Sequence, residues 1–224
     1  DKRTAMVDWS GLKSSKKLLL GTTNRKKLIE LNAHLVPKGF ELLTLADLPS
    51  SIDVEETGST FIENARLKAV AQSLEHRLWT NGEDSGLCVP ALGGAPGIYS
   101  ARYSVVQDAK ADPLDRSQID QRNNDKLLTE LASVPDEKRE GYYVSAIVLC
   151  DPKGNVAIEV QGECWGRIRH ERRGSEGFGY DPLFEVLEYH RTFAELGLNV
   201  KRAISHRSRA LREFLRQLDA RLTD

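Results

Sequence analysis

Short apolar runs bounded by polar turns alternate along the chain with segments whose apolar residues recur every three or four positions, the pattern of mixed strands and helices. Residues 17–22 (KLLLGT) read as a strand that turns directly into a helix. Asn24 suits the N-cap of that helix, Leu28, Leu31 and Leu35 recur at helical spacing, and Pro37 with Gly39 closes it. A second short strand is predicted over 40–45. Thr60 with Glu63 three positions later makes a capping-box pattern, and Phe61, Ala65, Ala69 and Leu74 trace the apolar face of the helix that follows. Asp112 and Pro113 are expected to open another helix, with Leu114, Ile119, Leu127, Leu128 and Leu131 inward and its end marked by Pro135. Residues 142–151 and 155–169 are β-rich runs either side of DPKGN, a turn signal, so they predict a long antiparallel hairpin. A last helix carries Leu211, Phe214, Leu215 and Leu218 on one face. No internal repeat, low-complexity tract or linker between independent domains is evident.

Composition narrows the class. With 224 residues the chain can build one large domain or two small lobes. No apolar run approaches the roughly 20 residues that cross a bilayer. A formal net charge of −1 argues against a nucleic-acid binder, which would carry a basic surplus, and favours small ligands. Cys88, Cys150 and Cys164 form no CxxC pair and read as buried, reduced thiols. Their odd number and the lack of a signal peptide point to the cytoplasm. Met6 is the only methionine, so residues 1–5 read as a cloning remnant or a trimmed terminus, and residues 1–16 as an N-terminal extension.

Five stretches carry candidate chemistry, each with an ordinary alternative. Arg25, Lys26 and Lys27 stand in the first turn of a helix, where the dipole is already positive. A bound anion such as a phosphate chain would resolve that conflict; a solvated basic face is the ordinary reading. Lys68 falls close to the apolar stripe of its helix, placed either to reach a phosphate or to snorkel. It is preceded by an acidic link, Asp53, Glu55 and Glu56. In the stretch 79–103, Glu83, Asp84, Ser85 and Gly86 stand beside a short apolar run and then a loop with Gly93, Gly94, Pro96 and Gly97: a strand that delivers a carboxylate to a glycine-rich bend, suited to metal-assisted chemistry, or a strand followed by a structural turn, since Asp-Ser-Gly is a common turn sequence. Residues 172–184 (RRGSEGFGYDPLF) set Phe178, Tyr180 and Asp181 in a glycine-dense loop that suits a flat heterocycle, or whose aromatics cover the core. Lys201, Ser205, His206 and Arg207 surround the start of the last helix, where an anion or a carbonyl-rich ligand would be welcome; a lone His there is more often a cap or surface residue. His34, His76, His170 and His190 share no spacing.

Taken together, TTNRKK, EETGSTFIENARLKA, EDSGLCVPALGGAPGIYSARY, GFGYDP and KRAISHR, in this order over most of the chain, closely resemble the inosine triphosphate pyrophosphatase family, which hydrolyses non-canonical purine nucleoside triphosphates. The resemblance implies an α/β fold: a mixed, extended and twisted central sheet with flanking helices, in which residues 17–224 form one domain of two lobes around a nucleotide cleft. It implies a homodimer. It further implies that Thr22, Thr23, Asn24, Arg25, Lys26 and Lys27 hold the triphosphate, with Lys68 also reaching it. Glu56 and Asp84 would coordinate Mg2+, Asp84 would also accept the proton, and Ser85 would contact substrate. Phe178, Gly179, Tyr180, Asp181, Lys201, His206 and Arg207 would surround the base. The family usually has glycine where this chain has Thr23, whose branched side chain restricts the backbone and whose hydroxyl is able to donate to a phosphate oxygen.

The reaction so implied is attack of water on the α-phosphorus, releasing nucleoside monophosphate and pyrophosphate, with Lys27 and Lys68 stabilising the departing charge. Donors at the purine 6-carbonyl would accept hypoxanthine and xanthine and reject adenine; His206, Arg207 and backbone N–H groups of GFGYDP are the candidates. A related pyrophosphatase acting on modified pyrimidine nucleotides and a nucleotide sensor without catalysis are the rivals, and the joint presence of Glu56, Asp84, Lys27 and Lys68 argues against the sensor. Glu83 stays unassigned, and GGAPGIYSAR reads as a structural bend beside the dimer contact.

Overall fold

Three consecutive leucines after Lys17 have no exposed surface, as a central parallel strand buried on both faces requires. In this computed structural model, which describes residues 6–105 and 115–223 apart from the side chain of Lys26, they lie in β1 (Lys17–Leu20). β1 pairs in parallel with β2 (Glu41–Thr44) on one side and with β3 (Thr80–Cys88) on the other. Parallel neighbours need crossovers. These are α2 (Arg25–Leu35), between β1 and β2, and α3 (Phe61–His76), between β2 and β3, while α1 (Ser10–Ser15) precedes β1. The chain continues through α4 (Arg116–Glu130), β4 (Glu140–Cys150), β5 (Val156–Ile168), β6 (Phe184–Val186), β7 (Arg191–Thr192), α5 (Phe193–Leu196), α6 (Leu198–Ile204) and α7 (His206–Thr223). Strand order is β2-β1-β3-β4-β5-β6-β7, and β6 is antiparallel to both β5 and β7, so the mixed α/β sheet expected from the sequence is what forms.

The expected hairpin is β4–β5: the Asp151 amide donates to the Asn155 carbonyl at its turn, and the Ile168 amide donates to the Arg139 carbonyl at its far end. Among the described residues no helix is long and apolar enough to cross a membrane.

The chain divides into two compact units: residues 1–84, 146–161 and 210–224, and residues 85–145 and 162–209. The first has a core of aliphatic side chains from α2, β4 and β5 closed by Ala210, Phe214 and Leu218 of α7. The stretch set apart as an extension contributes to it: Leu12 of α1 is fully buried, and the Trp9 ring lies 5.0 Å from that of Trp79. In the second unit Leu87, Leu127, Leu131, Tyr143, Phe184 and Phe193 form the core. Arg139, only 1% exposed, donates there to the carbonyls of Leu131, Ile168 and Arg169 at 2.6, 2.8 and 3.0 Å. Burial holds its guanidinium below its ordinary pKa.

Several local expectations are corrected. Glu83 to Gly86 are not a turn; they lie inside β3. On α3, Leu74 is 52% exposed, while Asn64 and Gln72 are buried. The reason is polar: Asn64 Oδ1 accepts from the Gly58 amide at 2.8 Å and Gln72 Nε2 donates to the Ile52 carbonyl at 2.9 Å, so this face ties down the backbone of the acidic link. The Thr60 hydroxyl accepts from the Glu63 amide as a cap should, but Glu63 returns its carboxylate to the Ser59 amide, not to Thr60. Asp112, Pro113 and Leu114 lie outside the described residues. The described helix starts at Arg116 with a reciprocal capping box between Asp115 and Gln118, and ends at Glu130, short of Pro135.

Gly82 is where β3 and α3 come closest. A Cβ there would stand 2.2 Å from the Ala65 carbonyl oxygen and 2.6 Å from the Ala69 amide, both backbone atoms that cannot yield cheaply. Gly82→Ala is therefore expected to cost about 3 kcal/mol of stability, the upper range of overpacking penalties, read as a lowered midpoint in urea unfolding.

Candidate active site

In the first unit the chain leaves β1 at Gly21 and enters α2 at Arg25, and the turn between them is pinned by backbone bonds. The Gly21 amide donates to the Asn81 carbonyl at 2.9 Å, and the Leu45 amide donates to the Thr22 carbonyl at 3.0 Å. The Thr22 hydroxyl accepts from the Asn24 amide at 3.1 Å. Below this turn lies a cavity of about 300 Å³ lined by Gly21, Thr22, Thr23, Lys27, Leu45, Lys68, Asn81 and Glu83. Thr23 sits here without strain of the glycine kind: among the described residues only Lys16, Arg77 and His190 are non-glycine residues with positive φ.

Alternation along β3 decides which side chains arrive. Asn81 and Glu83 share one face and line the cavity. Gly82 and Asp84 share the other, where α3 lies against Gly82 and its Lys68 reaches Asp84. Lys68 Nζ is 3.0 Å from Glu56 Oε1 and 3.7 Å from Asp84 Oδ1, so one ammonium joins the two carboxylates predicted as metal ligands. It neither snorkels nor stands alone. Lys27 Nζ is 3.0 Å from Glu83 Oε2, and Arg25 is 3.0 Å from Asp47 Oδ1. The conflict with the helix dipole that the sequence assigned to a bound anion is thus already relieved for Arg25 and Lys27 by the protein's own carboxylates. Arg25 and Asn24 do not line the cavity. The side chain of Lys26 lies outside the described residues.

The donor set fits Mg2+: carboxylate oxygens of Glu56 and Asp84 converge on a single cationic centre, the hard-oxygen environment that ion takes. Among the described residues no three metal-ligating side chains gather, so two carboxylates would hold the ion and water or phosphate oxygens would complete its shell.

The second unit holds all seven residues assigned to a base. Asp181, 1% exposed, is the centre: its Oδ2 accepts from Lys201 Nζ at 2.5 Å and from the Phe178 amide at 3.1 Å, and its Oδ1 accepts from the Tyr143 hydroxyl at 3.3 Å. Lys201 Nζ lies 4.0 Å from the centroid of the Phe178 ring, which is 68% exposed. Tyr180 differs from the expectation. Its ring is buried and its hydroxyl donates to the Ser100 carbonyl at 2.7 Å, so its side chain covers the core. The idea that loop N–H groups read a base is also narrowed, because the Phe178 and Gly179 amides donate to Asp181 and Asp120. His206 and Arg207 stay as side-chain candidates. His206 stacks on Tyr143 with ring centroids 4.7 Å apart, and burial, then the nearby Lys201 charge, pulls its pKa down to about 3. Burial pulls Arg207 down to about 10, which leaves it charged at neutral pH. Ser85 is exposed on β3.

Asn81, Glu83, Asp120 and Asn124 are among the residues of these sites that were missed or unassigned. Asn81 and Glu83 were legible as a same-face pair once β3 is extended back to Thr80. Asp120 and Asn124, one helical turn apart on α4, hold both backbone groups of Gly179: Asp120 Oδ2 accepts from its amide at 2.8 Å and Asn124 Nδ2 donates to its carbonyl at 2.9 Å. Nothing in the sequence joins them to residue 179.

Fold and site define an α/β protein with a cation-and-carboxylate cavity at a strand-to-helix turn. Residues 18–217 match the sequence profile of the Ham1 family, and the chain belongs to that family. It is 49% identical over 201 residues to a dITP/XTP pyrophosphatase of Rhodopirellula baltica, covering 90% of this chain and 92% of the relative. It is 45% identical over 198 residues to one of Gloeobacter violaceus, covering 88% and 92%. Among solved structures, a HAM1 protein from Coxiella burnetii superposes with a TM-score of 0.81 at 34% identity over 91% of this chain and 98% of that one. The nucleoside-triphosphatase, dITP/XTP pyrophosphatase, from Mycobacterium abscessus gives 0.72 at 40% identity over 89% and 98%.

The lowered pKa of His206 has a sign. The unfolded chain takes up a proton near pH 6.5 while the folded chain refuses it until about 3, so this stabilisation is complete above 6.5 and is lost as pH falls toward 3. Thermal melts from pH 7 to 4.5 should show His206→Gln losing less stability than the unmodified protein.

Proposed function

We propose that the chain hydrolyses non-canonical purine nucleoside triphosphates, dITP, ITP and XTP, to the nucleoside monophosphate and pyrophosphate. The observation that carries this is the cavity at the β1–α2 turn, lined by Lys27, Lys68 and Glu83, with Lys27 paired to Glu83 and Lys68 paired to Glu56 and Asp84 beside it. The names of its relatives supply the substrate class.

In this reading Thr22, Thr23 and Lys27 bind the phosphate chain from the turn, and Lys68 exchanges its carboxylate partners for phosphate oxygens. Asp84 takes the proton of the attacking water, and Lys27 and Lys68 stabilise the charge that collects on pyrophosphate. Glu56 and Asp84 would hold Mg2+, which supplies charge neutralisation and orientation of the nucleophile when bound. At the base, His206 is neutral at physiological pH and offers one N–H to a 6-carbonyl, while Arg207 offers a charged donor. An amine at that position would leave such donors unmatched at a cost of about 1–3 kcal/mol. Phe178 supplies an exposed ring for stacking, and Ser85 a substrate contact. In this reading the enzyme works in the cytoplasm as a homodimer.

Initial rates with dITP, XTP, dATP and dGTP, scored for pyrophosphate against orthophosphate, test the reading. Pyrophosphate release from dITP and XTP at least tenfold faster than from dATP is expected; equal rates, or orthophosphate as product, would remove it. Asp84→Asn should abolish turnover while the affinity for dITP, read by calorimetry, changes little. Near-normal turnover in that variant would take the proton-accepting role from Asp84.

A further inference from the structure

Asn81 is an odd residue for its place. It is 2% exposed in the middle of the sheet, where an aliphatic side chain would satisfy packing without any polar cost. Its Nδ2 has no hydrogen-bond partner among the described residues. Its neighbour Thr80, equally buried, shows the usual solution by donating its hydroxyl to the Leu78 carbonyl at 2.9 Å. A buried donor left unmatched costs about 1–3 kcal/mol, so its retention calls for an acceptor that arrives from elsewhere.

The geometry says where. Among the described residues, the Asn81 Nδ2 is the one buried, unpartnered polar atom that belongs to a residue lining the cavity. Its position beneath the turn is fixed, because its carbonyl accepts from the Gly21 amide at 2.9 Å and a Cβ on Gly21 would meet that carbonyl at 2.6 Å. It shares its face of β3 with Glu83, which already holds Lys27 at 3.0 Å, and Lys68 across the cavity is held by Glu56 at 3.0 Å. Both cations therefore have carboxylate partners of the protein itself, and the Asn81 Nδ2 has none among the described residues. A half-turn about the side chain's last torsion exchanges its two ends, so the N–H group can face the cavity without moving the strand.

We infer that Asn81 is a substrate-binding residue that donates to a phosphate oxygen of the polyphosphate chain. This rests on the proposed function for the class of ligand, and it adds a neutral donor between the two lysines. A neutral amide contributes a hydrogen bond to an anion without adding to the repulsion between Lys27 and Lys68 when both turn toward phosphate.

The test compares Asn81→Val with Asn81→Thr, a pair of similar shape that both suit a strand and differ by one hydroxyl. Affinity for inorganic tripolyphosphate is measured by calorimetry, KM for dITP by initial rates, and melting temperature in the absence of ligand. Asn81→Val is expected to weaken tripolyphosphate binding and raise KM about tenfold or more, the loss of one hydrogen bond to a charged group, with the melting temperature unchanged or higher because the unmatched donor is gone. Asn81→Thr should bind at least fivefold tighter than Asn81→Val. Affinities within twofold of the unmodified protein in both variants would overturn the inference. So would equal losses in Val and Thr, or a lower melting temperature with unchanged affinity, which would make Asn81 a structural residue. Should the unmodified protein bind tripolyphosphate but fail to hydrolyse dITP, the proposed function falls while the comparison at Asn81 still stands.

Discussion

The close approach of α3 to β3 at Gly82 is the constraint on which the first unit's site depends. Only a residue without a side chain lets the helix backbone lie this near the strand. Because it does, Lys68 on α3 reaches Asp84 on β3, and Asn64 and Gln72 on the same helix capture the 52–58 link that carries Glu56. Push the two elements apart and the ammonium, the two carboxylates and the link lose their common geometry. The polar residues buried on α3 make sense only in this light: they spend helix surface on holding a loop.

Charge is the second organising fact. Lys27 and Lys68 face Glu83, Glu56 and Asp84, two cations against three carboxylates in a half-buried setting. A partly buried lysine without a partner would be costly, and the carboxylates hold both ammonium groups in place before any ligand arrives. Under the proposed function a phosphate chain would take these lysines, and the carboxylates they leave would carry a surplus of negative charge that favours a divalent cation. In this picture metal and nucleotide each make room for the other at Lys68, whose pairs with Glu56 and Asp84 both would break.

The second unit solves a different problem. Its candidate base site is built on buried groups that are satisfied internally: Asp181 accepts from Lys201, Phe178 and Tyr143, and Gly179 is held at both ends by α4. What stays available is an exposed ring at Phe178 and the neutral imidazole of His206, which a buried and cationic neighbourhood keeps unprotonated. A neutral imidazole offers an N–H to a carbonyl without adding to the positive charge that Lys201 already brings.

Local chemistry determined what was readable along the chain. The apolar triplet of β1, the periodic leucines of α2, the hairpin at DPKGN and the ordered motifs depend on neighbours in sequence, so element types, class and family were legible. The same was true of Lys68, whose place beside an apolar stripe already set it apart from a solvated lysine. Tertiary structure alone decided the pairings. Which carboxylate meets which lysine, that Tyr180 covers the core while Phe178 stays exposed, that Asp120 and Asn124 hold Gly179, and that Asn81 is buried without a partner all join residues far apart in sequence. Such contacts follow from how strands stack and helices cross, and no spacing of residues along one segment encodes them. Glu83 and Asp84 lie between the two cases: adjacent in sequence, they were read as one acidic turn, and only the alternation of β3 sent one to Lys27 and the other to Lys68.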